Sequence, residues 1–173
     1  MNVQKKEKGF TIIEVVLVLA IAGLIFLMVF IALPALQRNQ RDTQRRNDMG
    51  RLQTAVANYS SANRGSIPTN TVAGWDNFVN TYLTTAGDTF VDPSGANANQ
   101  GTGVDTYVIT PTPAGTLTGG FIASGASATQ NIIYATPGTV CNTSDSASTT
   151  SAGSRKVSFR LALEGGGYYC INN

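Results

Sequence analysis

The chain has 173 residues, a formal net charge of +2, 13% charged side chains, two cysteines and no histidine. Its charged share is about half that of an ordinary globular domain, and the missing histidine removes the commonest acid–base group and metal ligand. The length allows one small globular domain plus a membrane-length segment, and the near balance of charge excludes a polybasic nucleic-acid binder.

The chain begins with a short basic leader, Lys5-Lys6-Glu7-Lys8, that ends at Gly9. Without the leader's three lysines and one glutamate, nine basic and nine acidic side chains remain. From Val15 to Leu33 there is no charged residue. Continued to Leu36, this run has about the twenty residues a helix needs to cross a bilayer core. One carboxylate, Glu14, sits a turn inside the apolar segment. An acid at the centre of a membrane helix costs roughly 2.5–3.5 kcal/mol, and less near the interface. Either Glu14 stays wet at headgroup level, or it pairs with a cation. A cut after Gly9 would supply that cation, because Phe10 would then carry a new amine. Residues 10 and 14 lie one turn apart on one helix face. Among parallel helices, the amine of one copy would meet Glu14 of the next, and the buried pair would fix the axial register.

Gly9, Phe10 and Glu14, with Thr11 and Ile12-Ile13 between, resemble the class III signal of type IV prepilins. The resemblance covers about the first third of the chain. It implies cleavage after Gly9 by a prepilin peptidase on the cytoplasmic side, N-methylation of Phe10, and retention of the apolar helix. An ordinary secretory signal is instead cut after its apolar core and lost. The leader lysines favour the cytoplasm. Arg38, Arg41, Arg45, Arg46 and Arg51 then fall outside, against the simple count of positive charge, and the orientation rests on the leader.

Pro34 follows the apolar run and predicts a kink, because proline removes a helix hydrogen bond and crowds the preceding turn. Gly23 falls where the family has a helix-weakening glycine, and the resemblance implies melting between such points on assembly. The family's proline comes somewhat earlier, where this chain has Ile31. Helical pattern resumes at Gln37 and runs to about Ala62, with Met49, Leu52, Val56 and Tyr59 at spacings of three and four. That narrow stripe suits a helix lying on a sheet. Asn63-Arg64-Gly65 with Pro68 beyond reads as a stop. A helix from Phe10 to Ala62 would be roughly 80 Å long, so its greasy first half would protrude. The arginine-rich middle reads as a solvated or subunit-facing surface.

A second, short helix is expected from Trp75 to Leu83, burying Trp75, Phe78, Val79 and Tyr82. Asp92-Pro93-Ser94-Gly95 is a turn signal. Asp88, Asp92 and Asp105 could offer oxygens to a cation, but their spacing fits no defined calcium loop, so neither a metal nor a cofactor is expected. Strand signals cover Val104 to Thr110, Asn131 to Thr136, the weaker Leu117 to Ala123, Val157 to Leu163, and Tyr168 to Ile171, with a turn at Glu164-Gly165-Gly166-Gly167. These predict an antiparallel meander laid on the Met49–Tyr59 stripe. Thr143 to Ser154 reads as a Ser/Thr-rich surface loop. Cys141 and Cys170 fall in the part expected outside, where disulfides persist. A bridge would be worth roughly 3–4 kcal/mol; the other reading is two free buried thiols. Many pilins have a C-terminal disulfide loop. Asn58-Tyr-Ser and Asn142-Thr-Ser are formal glycosylation sequons.

The expected architecture is α+β, of the type IV pilin kind: a long N-terminal helix packed on a small antiparallel sheet. The expected parts are a leader over residues 1–9, a transmembrane and polymerisation helix over 10–36, and an extracytoplasmic domain over 37–173. No nucleophile–base pair or metal-spaced cluster suggests an enzyme. Three functions compete: a structural pilus subunit, a minor pilin or type II secretion pseudopilin, and a membrane-anchored binding domain. The resemblance implies as partners other copies of the chain, a prepilin peptidase/methyltransferase, and an assembly platform with separate motor ATPases. A surface or DNA target is not named by the sequence.

Overall fold

In the computed structural model, residues 9–84, 89–93, 107–117 and 132–173 are described. The first element is a single long helix, α1 (Ile12–Ala62), which stays helical through both Gly23 and Pro34. The chain divides into two compact units, Met1–Gln37 and Arg38–Asn173. In the first unit every large apolar side chain from Phe10 to Leu36 is at least 43% exposed.

In the second unit, α1 buries Asp42, Arg45, Asp48, Met49, Leu52, Ala55 and Val56. The predicted apolar stripe is therefore present, with Tyr59 partly buried at its end. The same three- and four-residue spacing continues backward into ionic side chains. The arginine-rich stretch is thus only partly a solvated surface: Arg45 is fully buried, whereas Arg38 and Arg46 are exposed. α1 ends at the expected stop. Arg64 takes a left-handed conformation (φ 57°), and the Gly65 N–H donates to the Ser60 carbonyl at 2.7 Å. That closes the helix in the manner of a Schellman motif.

The second helix, α2 (Val72–Val79), is capped by Thr71, whose hydroxyl accepts from the Gly74 N–H at 3.0 Å. It continues as a π-helical turn, Asn80–Thr84. The wider winding moves the next buried position by one residue. Leu83 is buried where the helical period predicted Tyr82, and Tyr82 is 40% exposed. An aromatic cluster ties these elements together: Trp75 meets Phe78 and Phe159 edge-on, while Tyr82 stacks on Phe78.

The strands are β1 (Val108–Pro111), β2 (Ile132–Pro137), β3 (Thr139–Cys141), β4 (Thr149–Ser151), β5 (Val157–Ala162) and β6 (Tyr168–Asn172). Four of them form a sheet in the order β1-β2-β5-β6. It is antiparallel across β2, β5 and β6, while β1 runs parallel to β2 at the edge. The α+β layout of a long helix with a small sheet is as expected. The parallel edge is an addition, because the β1–β2 connection is a crossover and not a hairpin. Most of the weak candidate strand at Leu117 to Ala123 lies outside the described residues. The Ser/Thr-rich stretch is not all loop, since β4 lies within it and pairs with β3.

One sheet face carries Ile109, Ile133, Ala135, Val157, Phe159 and Leu161, which share the core with Met49, Leu52 and Val56 of α1. The opposite face carries Thr136, Ser158 and Arg160, and all three are buried as well. The Ser158 and Thr139 hydroxyls lie 2.6 Å apart. Arg160 donates to the Gly115 and Ala147 carbonyls at 2.6 and 2.7 Å and to the Thr136 hydroxyl at 2.8 Å. The Cys141–Cys170 disulfide, with Cα atoms 5.8 Å apart, joins β3 to the outer face of β6.

α1 is also fixed by charge. Arg45 holds Asp92 through two bonds of 2.7 and 2.8 Å, Glu164 at 2.8 Å and Asp42 at 3.0 Å. Arg41 makes a second two-pronged contact with Glu164 at 2.8 and 2.6 Å. Asp42 in turn accepts the Glu164 and Gly165 N–H groups at 2.9 and 2.8 Å. Gly166 and Gly167, at φ 97° and 78°, close the β5–β6 turn with backbone angles that side chains resist. Asp92, considered above as an oxygen donor for a cation, thus spends both carboxylate oxygens on Arg45. Asp88 and Asp105 lie outside the described residues.

Burial pushes the Glu164 carboxyl up, but the bonds and charges of Arg41 and Arg45 outweigh it and hold it below the usual glutamate range. Burial raises Asp48, against hydrogen bonds from Tyr107 and Arg51. Glu164 therefore adds stability above its unfolded value, and that stability is lost as pH falls through the lowered folded value. Asp48 has the opposite sign, since protonation relieves its burial. In thermal unfolding of the detergent-solubilised chain, Glu164→Gln is expected to flatten the loss of stability below about pH 4.3. Arg45→Met leaves three carboxylates without their shared cation and is expected to cost about 3–5 kcal/mol at pH 7 in urea unfolding.

Candidate processing and assembly site

The chain enters α1 through Gly9, Phe10 and Thr11, all exposed. Ile12 is the first helical residue. Thr11 is then the N-cap, and Glu14 is the third residue of the first turn. A helix leaves its first N–H groups without acceptors from its own backbone. Here Glu14 Oε2 accepts from the Thr11 backbone N–H at 2.9 Å and from the Thr11 hydroxyl at 2.8 Å. The Thr11 hydroxyl oxygen in return faces the Glu14 N–H at 3.4 Å. This is a reciprocal capping box, and it sets the carboxylate against the positive end of the helix. Oε1 of Glu14 makes no hydrogen bond among the described residues.

The arrangement is chemically simple. It presents one carboxylate oxygen already satisfied by its own chain and one that is open. Phe10, 88% exposed, flanks it, and apolar side chains surround both. A Cβ at Gly9 would meet nothing within 4 Å, so no contact among the described residues demands glycine there. Gly9, Phe10 and Glu14 are thus brought together within about one turn. Gly23 and Pro34 lie further along α1 and take no part. Cys141 and Cys170 belong to the second unit, where they form the disulfide. Thr11 is the residue that sequence reasoning passed over. The signal was available, because Thr11-Ile12-Ile13-Glu14 before an apolar run has the threonine–glutamate spacing of a capping box.

The family model for the prokaryotic N-terminal methylation motif matches residues 4–30. The chain therefore carries a type IV prepilin-like signal, and the match leaves the sheet and the rest of the chain untouched. Neither the curated proteins nor the solved structures gave a match.

The capping box has a direct test. Removing the Thr11 side chain deletes an N-cap, typically worth about 1 kcal/mol, or about fivefold in local opening. In detergent micelles, the first-turn amides of Thr11→Ala are expected to exchange about fivefold faster than in the wild type. Thr11→Ser keeps the hydroxyl and is expected to restore the slow rate. Equal rates in all three proteins would remove the cap.

Proposed function

We propose that this chain is the structural subunit of a type IV pilus. It enters the cytoplasmic membrane as a single-pass precursor with the leader, residues 1–9, on the cytoplasmic side. A prepilin peptidase cuts after Gly9, and the same enzyme methylates the new amine of Phe10. The apolar helix over residues 10–36 stays in the membrane, and the domain over residues 37–173 faces outward. Assembly moves the helix from lipid into a bundle of identical helices. The driving force is close packing, since lipid and bundle are equally apolar. The Phe10 amine of one copy meets the open oxygen of Glu14 on the next and sets the register. Gly23 and Pro34 are the points where α1 yields in the fibre. An assembly platform and motor ATPases supply the work. The fibre serves adhesion, twitching motility or DNA uptake.

One observation carries this reading: an exposed apolar helix bears a single carboxylate at its start, inside a matched methylation motif. A plain membrane anchor has no use for that carboxylate. The competing reading, a minor pilin or secretion pseudopilin, shares the motif and differs in abundance.

Three measurements test the proposal. Protein sheared from the cell surface is expected to begin at N-methylated Phe10 by mass, and to be the main component of the fibre fraction; a trace amount there would favour the minor-pilin reading. Glu14→Val is expected to insert stably and give few or no fibres, and a normal fibre yield would reject the register role. Gly9→Val is expected to accumulate in the membrane as uncut precursor.

A further inference from the structure

An open groove of about 540 Å3 runs between α1 and the π-helical turn Asn80–Thr84. Arg46, Asn47, Gly50, Thr54, Asn58 and Tyr82 line it. Three features set it apart from an ordinary solvated helix face. The first is Gly50. Glycine in mid-helix weakens the helix, yet a Cβ at Gly50 would meet nothing within 4 Å. Packing among the described residues therefore gives no reason for glycine there, whereas a floor without a side chain keeps the groove open. The second is the π-helical turn, a local irregularity that recurs at functional sites. It turns Leu83 inward and leaves Tyr82 exposed at the groove. The third is the rigidity of Tyr82. Its ring stacks on Phe78 at 5.2 Å with 20° between planes, and meets Tyr59 edge-on at 5.4 Å.

The polar lining is a set of planar and hydroxyl groups. Asn47 and Asn58 are exposed, and their side-chain amides make no hydrogen bond among the described residues. The Thr54 hydroxyl donates to the Gly50 carbonyl at 3.0 Å and keeps its lone pairs for another donor. Arg46 lines the groove, and its guanidinium stands 5.5 Å from the Tyr169 ring of β6. Amides offer a donor and an acceptor side by side, which matches vicinal hydroxyl pairs. An immobile aromatic ring offers a flat apolar face at little cost in conformational freedom.

We propose that this groove is a binding site for a short oligosaccharide, with Tyr82 as the stacking platform and Asn47, Asn58 and Arg46 as hydrogen-bonding groups. The site is independent of the N-terminal residues and of how the chain is processed.

The test uses the full chain in detergent micelles and saturation-transfer NMR with maltotriose, chitotriose and a digalacturonate as probes. Transfer from the protein to at least one sugar is expected in the wild type. It is expected to persist in Gly50→Ala, where one methyl leaves the groove open, and to fall at least fivefold in both Tyr82→Ala and Gly50→Leu. Thermal unfolding separates blocking from misfolding. Gly50→Leu replaces a poor helix former with a good one, so its midpoint is expected to rise while binding is lost. Absence of transfer to all three sugars in the wild type overturns the proposal. So does transfer that survives both blocking variants.

Discussion

A guanidinium shut away from water is costly unless protein groups take up its hydrogen bonds. Arg45 meets that requirement with partners from three separated places: Asp42 on its own helix, Asp92 in the 89–93 segment, and Glu164 in the β5–β6 turn. Much of the chain around these places is rich in glycine, serine, threonine and asparagine. Such segments have few apolar side chains to bury. Phe90 packs on Tyr107 in the core, and the ion cluster adds a directional fix beside it. Replacing a buried ion pair by apolar side chains is often neutral for stability, whereas the pair is demanding in geometry. Its contribution here is one of placement: the turn and the 89–93 segment must both come to the same face of α1 before Arg45 can be buried. Arg51 and Asp48 extend the arrangement, with Arg51 reaching the Thr89 carbonyl at 3.1 Å and Tyr107 donating to Asp48 at 3.2 Å.

The sheet meets the same difficulty on its other side in another way. β5 is buried on both faces, although only its inner face is apolar. On the outer face Arg160 is enclosed by backbone carbonyls and a hydroxyl, with no carboxylate bonded to it among the described residues. Burial lowers its affinity for the proton, and nearby tyrosines and Asp145 only partly offset this. The side chain acts as a staple that collects the 112–117 segment and the end of the β3–β4 loop onto the sheet. The disulfide adds a covalent tie between the same hairpin and β6. Here placement comes from a cation binding carbonyls and from a cross-link, in a region with few large apolar residues.

This explains what could be read in advance. The apolar half of α1, its later stripe, the stop at residues 63–65, β2, β5, β6 and the cysteine pair all follow from period, composition and turn residues. These are local signals, and the structure agrees with them to within a few residues. The charge of α1 from Asp42 to Asp48 reads as a solvated or subunit-facing surface. Its spacing told otherwise, since positions 42, 45 and 48–49 continue the 52, 55–56 and 59 series backward. Charge hid the period. Tyr82 and Leu83 exchanged roles because a π-helical turn breaks the 3.6-residue rule without any composition cue. β1 was legible as a strand, but its parallel pairing depends on the path of a long connection, which no local pattern specifies. At the candidate site, Gly9, Phe10 and Glu14 were legible from the motif. Thr11 is legible in the same stretch, since its spacing to Glu14 is that of a capping box.

The two ionic arrangements differ in what they need. The Arg45 cluster requires a folded domain, because its partners are distant in sequence. Glu14 requires only four residues of its own helix: Thr11 supplies an N–H and a hydroxyl to one oxygen wherever α1 begins at Ile12. That local solution matters for a segment whose apolar side chains are exposed. A carboxylate with one oxygen bonded and set against the positive end of a helix is less costly to hold near hydrocarbon than a bare one. The second oxygen cannot be satisfied in the same way, because the first turn offers it no further side-chain donor. In the proposed assembly, an acid half satisfied within one chain and half open would be held in the membrane at less cost and would gain by meeting a cation from another copy. On this argument the threonine and the glutamate act as a unit, and the spacing between them carries as much of the proposed function as the charge.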